Sequence, residues 1–221
     1  MSNVHLNIRE ELCSYATRIV KKGLVAGPGG NISARSGDIM YISPSGFALD
    51  EIPADKWISV DIATGEVEGE LRPSSETLLH LFIYRVRPDI YAVIHAHPIY
   101  SIAVSSVDLT VPPMFADFVA ILGDLPCLEY VMPTTRLLAE RVVEDLGQAN
   151  AMLLRNHGTI TVGSNLKEAY YRTEILEDAA KIYILAKQLG SPRVLTEEEC
   201  RQIKELDSEV YRVNLLKDMK V

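Results

Sequence analysis

Five histidines occur in 221 residues, and three of them stand where apolar, strand-forming runs end. His95 and His97 lie in Ile94-His95-Ala96-His97-Pro98, and His157 in Leu154-Arg155-Asn156-His157-Gly158. Side chains alternate along a strand, so His95 and His97 share one face with their backbones about 7 Å apart, and two imidazoles can meet at one ion. A third imidazole from another strand completes a facial set. Three neutral imidazoles suit zinc or another late first-row divalent ion, and an open position separates a catalytic centre from a closed structural one. Any one histidine alone is as well explained as a satisfied core or surface residue; the signal is the H-x-H pair combined with the distant N-H-G. The remaining two, His5 and His80, fall in the N-terminal segment and on a helix.

A second group is Arg72-Pro73-Ser74-Ser75-Glu76. Here two hydroxyls and a carboxylate stand at a helix start, where unpaired backbone N–H groups and the helix dipole favour an anion. Ordinary capping accounts for Ser75 and Glu76 equally well. Gly29, Gly30 and Asn31 can present successive N–H groups as a phosphate nest, and Ser45-Gly46 can do the same from the next turn. The glycine loop matches neither the dinucleotide fingerprint nor the P-loop.

The elements that must position these groups follow from periodicity. Residues 7–22 carry Ile8, Leu12, Ala16, Ile19 and Val20 at helical spacing and stop at Gly23. After the turn Gly27-Pro28-Gly29-Gly30, strands are expected over 31–35, 38–43 and 57–63, with turns at Pro44-Ser45-Gly46 and Ala63-Thr64-Gly65 before the short extended run 66–68. A helix is expected over 75–85, with Leu78, Leu79, Phe82 and Ile83 on one side and Ser75 as N-cap. Residues 90–97 read as a buried strand, 134–146 as a helix, and 151–155 and 159–162 as strands flanking the N-H-G turn. The last two helices are expected over Leu166–Leu189 and 196–216, the second opened by Thr196-Glu197-Glu198-Glu199 with capping-box spacing. This alternation implies an α/β sandwich around a mostly antiparallel sheet, one domain over residues 1–221.

Composition narrows the function. Apolar residues make up 48% and charged residues 24%, ordinary values for a folded domain. Lys and Arg number 22 against 30 Asp and Glu, a net charge of −8 with no basic stripe, so nucleic acid is not an expected partner. Cys13, Cys127 and Cys200 are far apart and form no C-x-x-C pair, which suits a reducing cytoplasm. The start MSNVHLNIREELC has neither a basic n-region nor an apolar h-region, and no run approaches the ~18 apolar residues of a membrane span. No targeting signal and no membrane partner are expected.

Taken in order, G-P-G-G-N-I-S-A-R at 27–35, I-S-P-S-G at 42–46, P-S-S-E-x-x-L-H at 73–80, I-H-A-H-P at 94–98 and L-R-N-H-G at 154–158 resemble the class II aldolase and adducin family. The combination is specific where each motif alone is weak. The resemblance implies a nine-stranded-type three-layer αβα sandwich and a fourfold symmetric homotetramer with active sites at subunit interfaces. It also implies one divalent metal ion, most often Zn²⁺. It assigns the metal to His95, His97 and His157, with Glu76 able to occupy a metal position as well. The phosphate of a small sugar substrate falls to Gly30, Asn31, Ser45, Gly46, Ser74 and Ser75.

Family members that cleave carbon–carbon bonds resemble this chain in carrying glutamate at position 76, where the ribulose-phosphate 4-epimerases carry aspartate. The expected activity is therefore a metal-dependent lyase that splits a small phosphorylated ketose into dihydroxyacetone phosphate and an aldehyde. The cation would stabilise the enediolate, and Glu76 would move the proton at its carbon. A decarboxylase, a 4-epimerase and a non-catalytic adducin-like scaffold are the alternatives on the same framework. One departure stands out. Aldolases of the family place a tyrosine after the H-x-H strand, whereas this chain reads Met114-Phe115-Ala116-Asp117-Phe118. Asp117 resembles the acid/base aspartate of the epimerases, and Tyr211 on the last helix is a substitute proton donor; a turn cap and a packing tyrosine are the plain readings of the same two residues.

Overall fold

The structure is a computed structural model and describes residues 3–107 and 110–218. A single eight-stranded sheet runs through it in the order β4-β3-β2-β1-β5-β8-β7-β6. The strands are β1 Asn31–Ser36, β2 Ile39–Ile42, β3 Ile58–Asp61, β4 Val67–Glu68, β5 Ala92–Ala96, β6 Cys127–Leu128, β7 Ala151–Leu154 and β8 Gly158–Gly163. Every neighbouring pair is antiparallel except β6 with β7. The mostly antiparallel sheet is as expected; among the described residues it has eight strands where the resemblance implies nine.

Helices cover both faces. The helices α1 Asn3–Lys21 and α5 Leu166–Leu189 lie on one face, joined by α3 Ile99–Ser105 and a short π-helical turn, Phe118–Leu122. The helices α2 Thr77–Val86 and α4 Arg136–Leu146 lie on the other. Period-two alternation sorts the strands between the two cores. Val93 packs with Leu79, Ile83, Leu138 and Val142 on the α2/α4 side, while Ala92, Ile94 and Ala96 pack with Leu12, Ala16, Ile19 and Ala169 on the α1/α5 side. β5 is therefore buried on both faces, and each odd-numbered residue from 93 looks toward α2.

Two local expectations are corrected. Residues 196–216 do not form one helix: α6 Glu197–Glu205 and α7 Asp207–Asp218 are separated by Leu206, which is extended at φ −60° and ψ 128°. Ile203 and Leu216 both pack against the body of the protein. Thirteen positions at 100° each would put them about 220° apart on a straight helix, so the break lets both apolar faces reach the core. The Thr196–Glu199 capping box forms as expected. Ser75 does not cap α2; it is exposed, and Ser74 Oγ instead accepts the Glu76 N–H at 3.3 Å.

Sequence periodicity did not reveal α3, the π-helical turn or β6. The cap of α3 comes from a distant part of the chain: the Glu177 carboxylate on α5 accepts the Tyr100 and Ser101 N–H groups at 2.9 Å each. Among the described residues no helix is long and apolar enough to cross a membrane.

Candidate active site

His95 is the last-but-one residue of β5 and is fully buried. His97 follows the strand, and its backbone N–H is tied to the Leu24 carbonyl at 3.0 Å. His157 sits in the three-residue turn between β7 and β8, where Asn156 takes φ 55°, a left-handed conformation that asparagine tolerates better than most residues. The antiparallel pairing of β5 with β8 brings that turn to the end of β5. One ligand atom from each of His95, His97 and His157 lies within 4.8 Å of the others. The ring centroids of His95 are 4.7 Å from those of both His97 and His157.

Two glycines allow the rings to come this close. A Cβ on Gly29 would stand 2.9 Å from His97 Nδ1, and one on Gly158 would strike the Ala96 carbonyl and stand 2.8 Å from His97 Cδ2. Gly30 has φ 70°, and a Cβ there would lie 2.8 Å from the His95 carbonyl.

Glu76, immediately before α2, is 7% exposed. Its Oε2 lies 3.1 Å from His95 Nε2 and its Oε1 lies 3.4 Å from His157 Nε2. The tautomer of His95 follows from its other nitrogen. Nδ1 stands 3.0 Å from the Thr159 carbonyl, which can only accept, so Nδ1 carries the proton and Nε2 presents a lone pair. That lone pair faces the Glu76 carboxylate and, at 2.9 Å, His97 Nε2. Glu76 Oε1 and His157 Nδ1 are buried with no hydrogen-bond partner. A bare His95 Nε2 and an unpartnered carboxylate oxygen beside two further imidazoles fit a divalent cation held by His95, His97 and His157, with the carboxylate close enough to join.

Electrostatics point the same way. Burial is the largest influence on His95 and lowers its pKa to about 4, so the ring is neutral at neutral pH and free to ligate. Burial likewise lowers His97 and His157 below their ordinary value. For Glu76, burial pushes the pKa up and the Asn31 amide donor pulls it down, as does any proton on the neighbouring imidazoles, and the carboxyl ends below its ordinary value.

Behind Glu76 lies a buried polar row that the sequence reading did not assemble. Asn31 Nδ2 donates to Glu76 Oε2 at 2.9 Å, His80 Nε2 lies 2.5 Å from Asn31 Oδ1, Ser33 Oγ lies 2.6 Å from His80 Nδ1, and Tyr84 Oη lies 2.9 Å from Ser33 Oγ. The signal was present as the spacing of 76, 80 and 84, one stripe of a helix, opposite Asn31 and Ser33, one face of a strand. Two strand residues advance about 6.8 Å and four helical residues about 6 Å, so the two rows stay in register. Burial drives the His80 pKa down to about 3, and the ring is neutral.

The remaining expected residues fall into two places. Ser45-Gly46 and Ser74-Ser75 are stitched side by side, since Ser45 N donates to the Arg72 carbonyl at 2.9 Å and Ser74 N to the Ser43 carbonyl at 3.0 Å. Gly30 and Asn31 adjoin Glu76 from β1, although both ends of the Asn31 side-chain amide turn inward to Glu76 and His80. Asp117 and Tyr211 lie elsewhere. Asp117 accepts from Arg212 Nη2 at 2.6 Å, so it and Tyr211 belong to one surface region with side chains 49% and residue 68% exposed respectively. Asp117 makes no side-chain capping bond to the π-helical turn it precedes.

Residues 10–184 match the Class II Aldolase and Adducin N-terminal domain. A 5-deoxy-D-ribulose 1-phosphate aldolase of Bacillus thuringiensis serovar kurstaki is 34% identical over 198 residues, 88% of this chain and 92% of that protein. An L-fuculose phosphate aldolase of Escherichia coli is 34% identical over 191 residues, 86% of this chain and 87% of its own. A solved L-fuculose 1-phosphate aldolase superposes with a TM-score of 0.86 at 35% identity, covering 93% of this chain and 96% of that one. The chain belongs to the class II aldolase and adducin family. With this fold and these aldolase relatives, it is a class II aldolase, a lyase.

Proposed function

We propose that the enzyme interconverts a small phosphorylated ketose with dihydroxyacetone phosphate and an aldehyde, using one divalent cation, Zn²⁺ first among the candidates, held by His95, His97 and His157. The observation that carries this reading is the convergence of the three imidazoles within 4.8 Å beside a buried carboxylate. A cation bound there supplies Lewis acidity, which lowers the cost of negative charge on the substrate's oxygens by several kcal/mol.

The chain's own groups then divide the work. In the condensation direction the ionised Glu76 removes a proton from the carbon beside the ketone of dihydroxyacetone phosphate, and that carbon bonds to the aldehyde carbonyl. The new alkoxide takes its proton from Tyr211, or from Asp117 in its acid form, and solvent carries the proton left on Glu76 back to that donor. Cleavage retraces these steps, so atoms and charge balance in both directions. The lowered pKa of Glu76 keeps the carboxyl ionised at neutral pH, the state from which it can accept a proton. The substrate phosphate sits among Gly30, Asn31, Ser45, Gly46, Ser74 and Ser75, whose two stitched turns adjoin Glu76.

Asp117 and Tyr211 make no described contact with the histidine cluster of their own chain, and both are substantially exposed. They would serve the site of a neighbouring subunit in the homotetramer that the family resemblance implies. A cytoplasmic setting accords with the three free cysteines. The test is metal analysis of untagged protein followed by NMR of a panel of 1-phosphoketoses. Dihydroxyacetone phosphate and an aldehyde are the expected products; CO₂ release, or an epimer without cleavage, would overturn the reading.

A further inference from the structure

With the buried His80 ring neutral, the row behind Glu76 has only one internally consistent direction. An ionised Glu76 accepts, so Asn31 must turn its Nδ2 toward Oε2, 2.9 Å away. Its Oδ1 then faces His80 Nε2 at 2.5 Å, and that nitrogen must carry the ring proton. His80 Nδ1 is consequently an acceptor and takes the Ser33 hydroxyl proton at 2.6 Å. Ser33 Oγ in turn accepts from Tyr84 Oη at 2.9 Å, a shorter contact than the 3.4 Å between that hydroxyl and the Tyr91 carbonyl. Reversing any one bond reverses those beyond it and ends with Asn31 Oδ1 against the carboxylate, two acceptors in contact inside the protein.

We propose that His80 is the positioning residue of the site: as its Nε2–H tautomer it locks the Asn31 side-chain amide, which holds Glu76 Oε2 in one orientation beside His95. The hydrogen bonds of the His80 ring go to Asn31 and Ser33, so its bonded path to Glu76 runs through the Asn31 amide. His80 and Ser33 are fully buried, Tyr84 is 2% exposed and Asn31 5%, so no bulk water competes for these bonds and the direction set at Tyr84 reaches Glu76 unbroken. Outer partners of this kind fix the geometry of the groups that touch substrate, and removing one typically costs 10–100-fold. The inference deepens the proposed role of Glu76 and rests on it for its catalytic consequence.

The test combines turnover with a measurement that needs none. In the wild-type protein, ¹⁵N–¹H correlation NMR of the histidine side chains should show His80 with its proton on Nε2 and a bare Nδ1, and the Asn31 side-chain amide should have one proton shifted by its carboxylate partner. A proton on His80 Nδ1 would overturn the proposal outright. Among variants, His80→Gln keeps an N–H donor where Nε2 stands, and His80→Met has none. His80→Gln is expected to retain kcat within about 5-fold and to keep the Asn31 shift. His80→Met should lose about 10–100-fold in kcat, with KM changed less than about 3-fold and the Asn31 shift gone. Equal turnover in the two variants would overturn the proposal; if His80→Met does not fold, the wild-type tautomer and His80→Gln decide it. Near-normal turnover in Glu76→Gln would instead remove the proposed role of Glu76, while the wild-type spectrum still judges the His80–Asn31 lock independently.

Discussion

The Nδ1 proton of His95 goes to the Thr159 carbonyl 3.0 Å away, and this bond to the neighbouring strand decides that Nε2 is the nitrogen facing His97 and Glu76. Thr159 is the second residue of β8, paired with Ala96, so the sheet ladder that builds the fold also sets the tautomer at the site. The consequences for experiment follow from such couplings between frame and site.

Glu76→Gln is expected to retain the metal and to lose at least ~10²-fold in turnover, the usual scale for a general acid/base group. The amide is nearly the same shape and lacks only the charge and basicity. Metal content by elemental analysis, alongside steady-state kinetics, separates lost chemistry from a lost ion.

Removal of an imidazole should act in the opposite order. His157→Ala is expected to lower bound metal at least ~10-fold and turnover with it, because two imidazoles hold a divalent ion far less well than three. Chelation of the wild-type enzyme should abolish activity, and added Zn²⁺ should restore it; activity that survives exhaustive chelation would count against a metal-dependent reaction.

Gly158→Ala tests the close approach of the rings. The added methyl would strike the Ala96 carbonyl and press on His97 Cδ2, 2.8 Å from the new carbon. Metal affinity should fall about 10–100-fold, as for other disturbances of ligand orientation, and the thermal midpoint should fall too. A metal titration of the purified variant reads the first effect directly.

Acid should weaken the fold through His80. Its folded pKa is about 3 against an ordinary 6.5, so below pH 6.5 the unfolded chain binds a proton that the folded one refuses. Stability from this group is intact above pH 6.5 and falls as the pH drops toward 3, by about 2 kcal/mol between pH 6.5 and 5. Urea unfolding of wild type and His80→Gln at both pH values should show the smaller acid loss in the variant.

Tyr211→Phe probes the surface pair. Tyr211 is 68% exposed, so loss of its hydroxyl should leave the thermal midpoint within about a degree. Turnover should drop at least ~10-fold if it delivers the proton to a neighbouring site. Asp117→Asn, which breaks a half-exposed ion pair with Arg212, should cost under about 1 kcal/mol of stability. Unchanged turnover in both variants would leave the proton donor to be sought elsewhere.

What was legible in the sequence was whatever depends on neighbours along the chain. The apolar run 90–97, the strand end at Asn156-His157-Gly158 and the Thr196 capping box are local, and the first two placed the histidines. What escaped depended on partners far away. α3 is capped by a glutamate 76 positions on, and the break at Leu206 answers to two separate contacts with the body of the protein. His80 read as an ordinary helix residue because its significance lies in Asn31 and Ser33, more than 45 positions earlier. A buried polar side chain becomes interpretable only when every one of its bonds is known.

The central place of β5 decides which amides of the enzyme open last. Flanked by β1 and β8, the strand has no free edge, and its amides can meet solvent only through events that part the sheet on one side or the other. Deuterium should therefore enter Val93, Ile94 and His95 last, long after α7 and the turn at Ser45. The same protection holds His95 in place, whereas His97 follows the strand and His157 lies in the turn between β7 and β8, so the amides of those two should exchange earlier than that of His95.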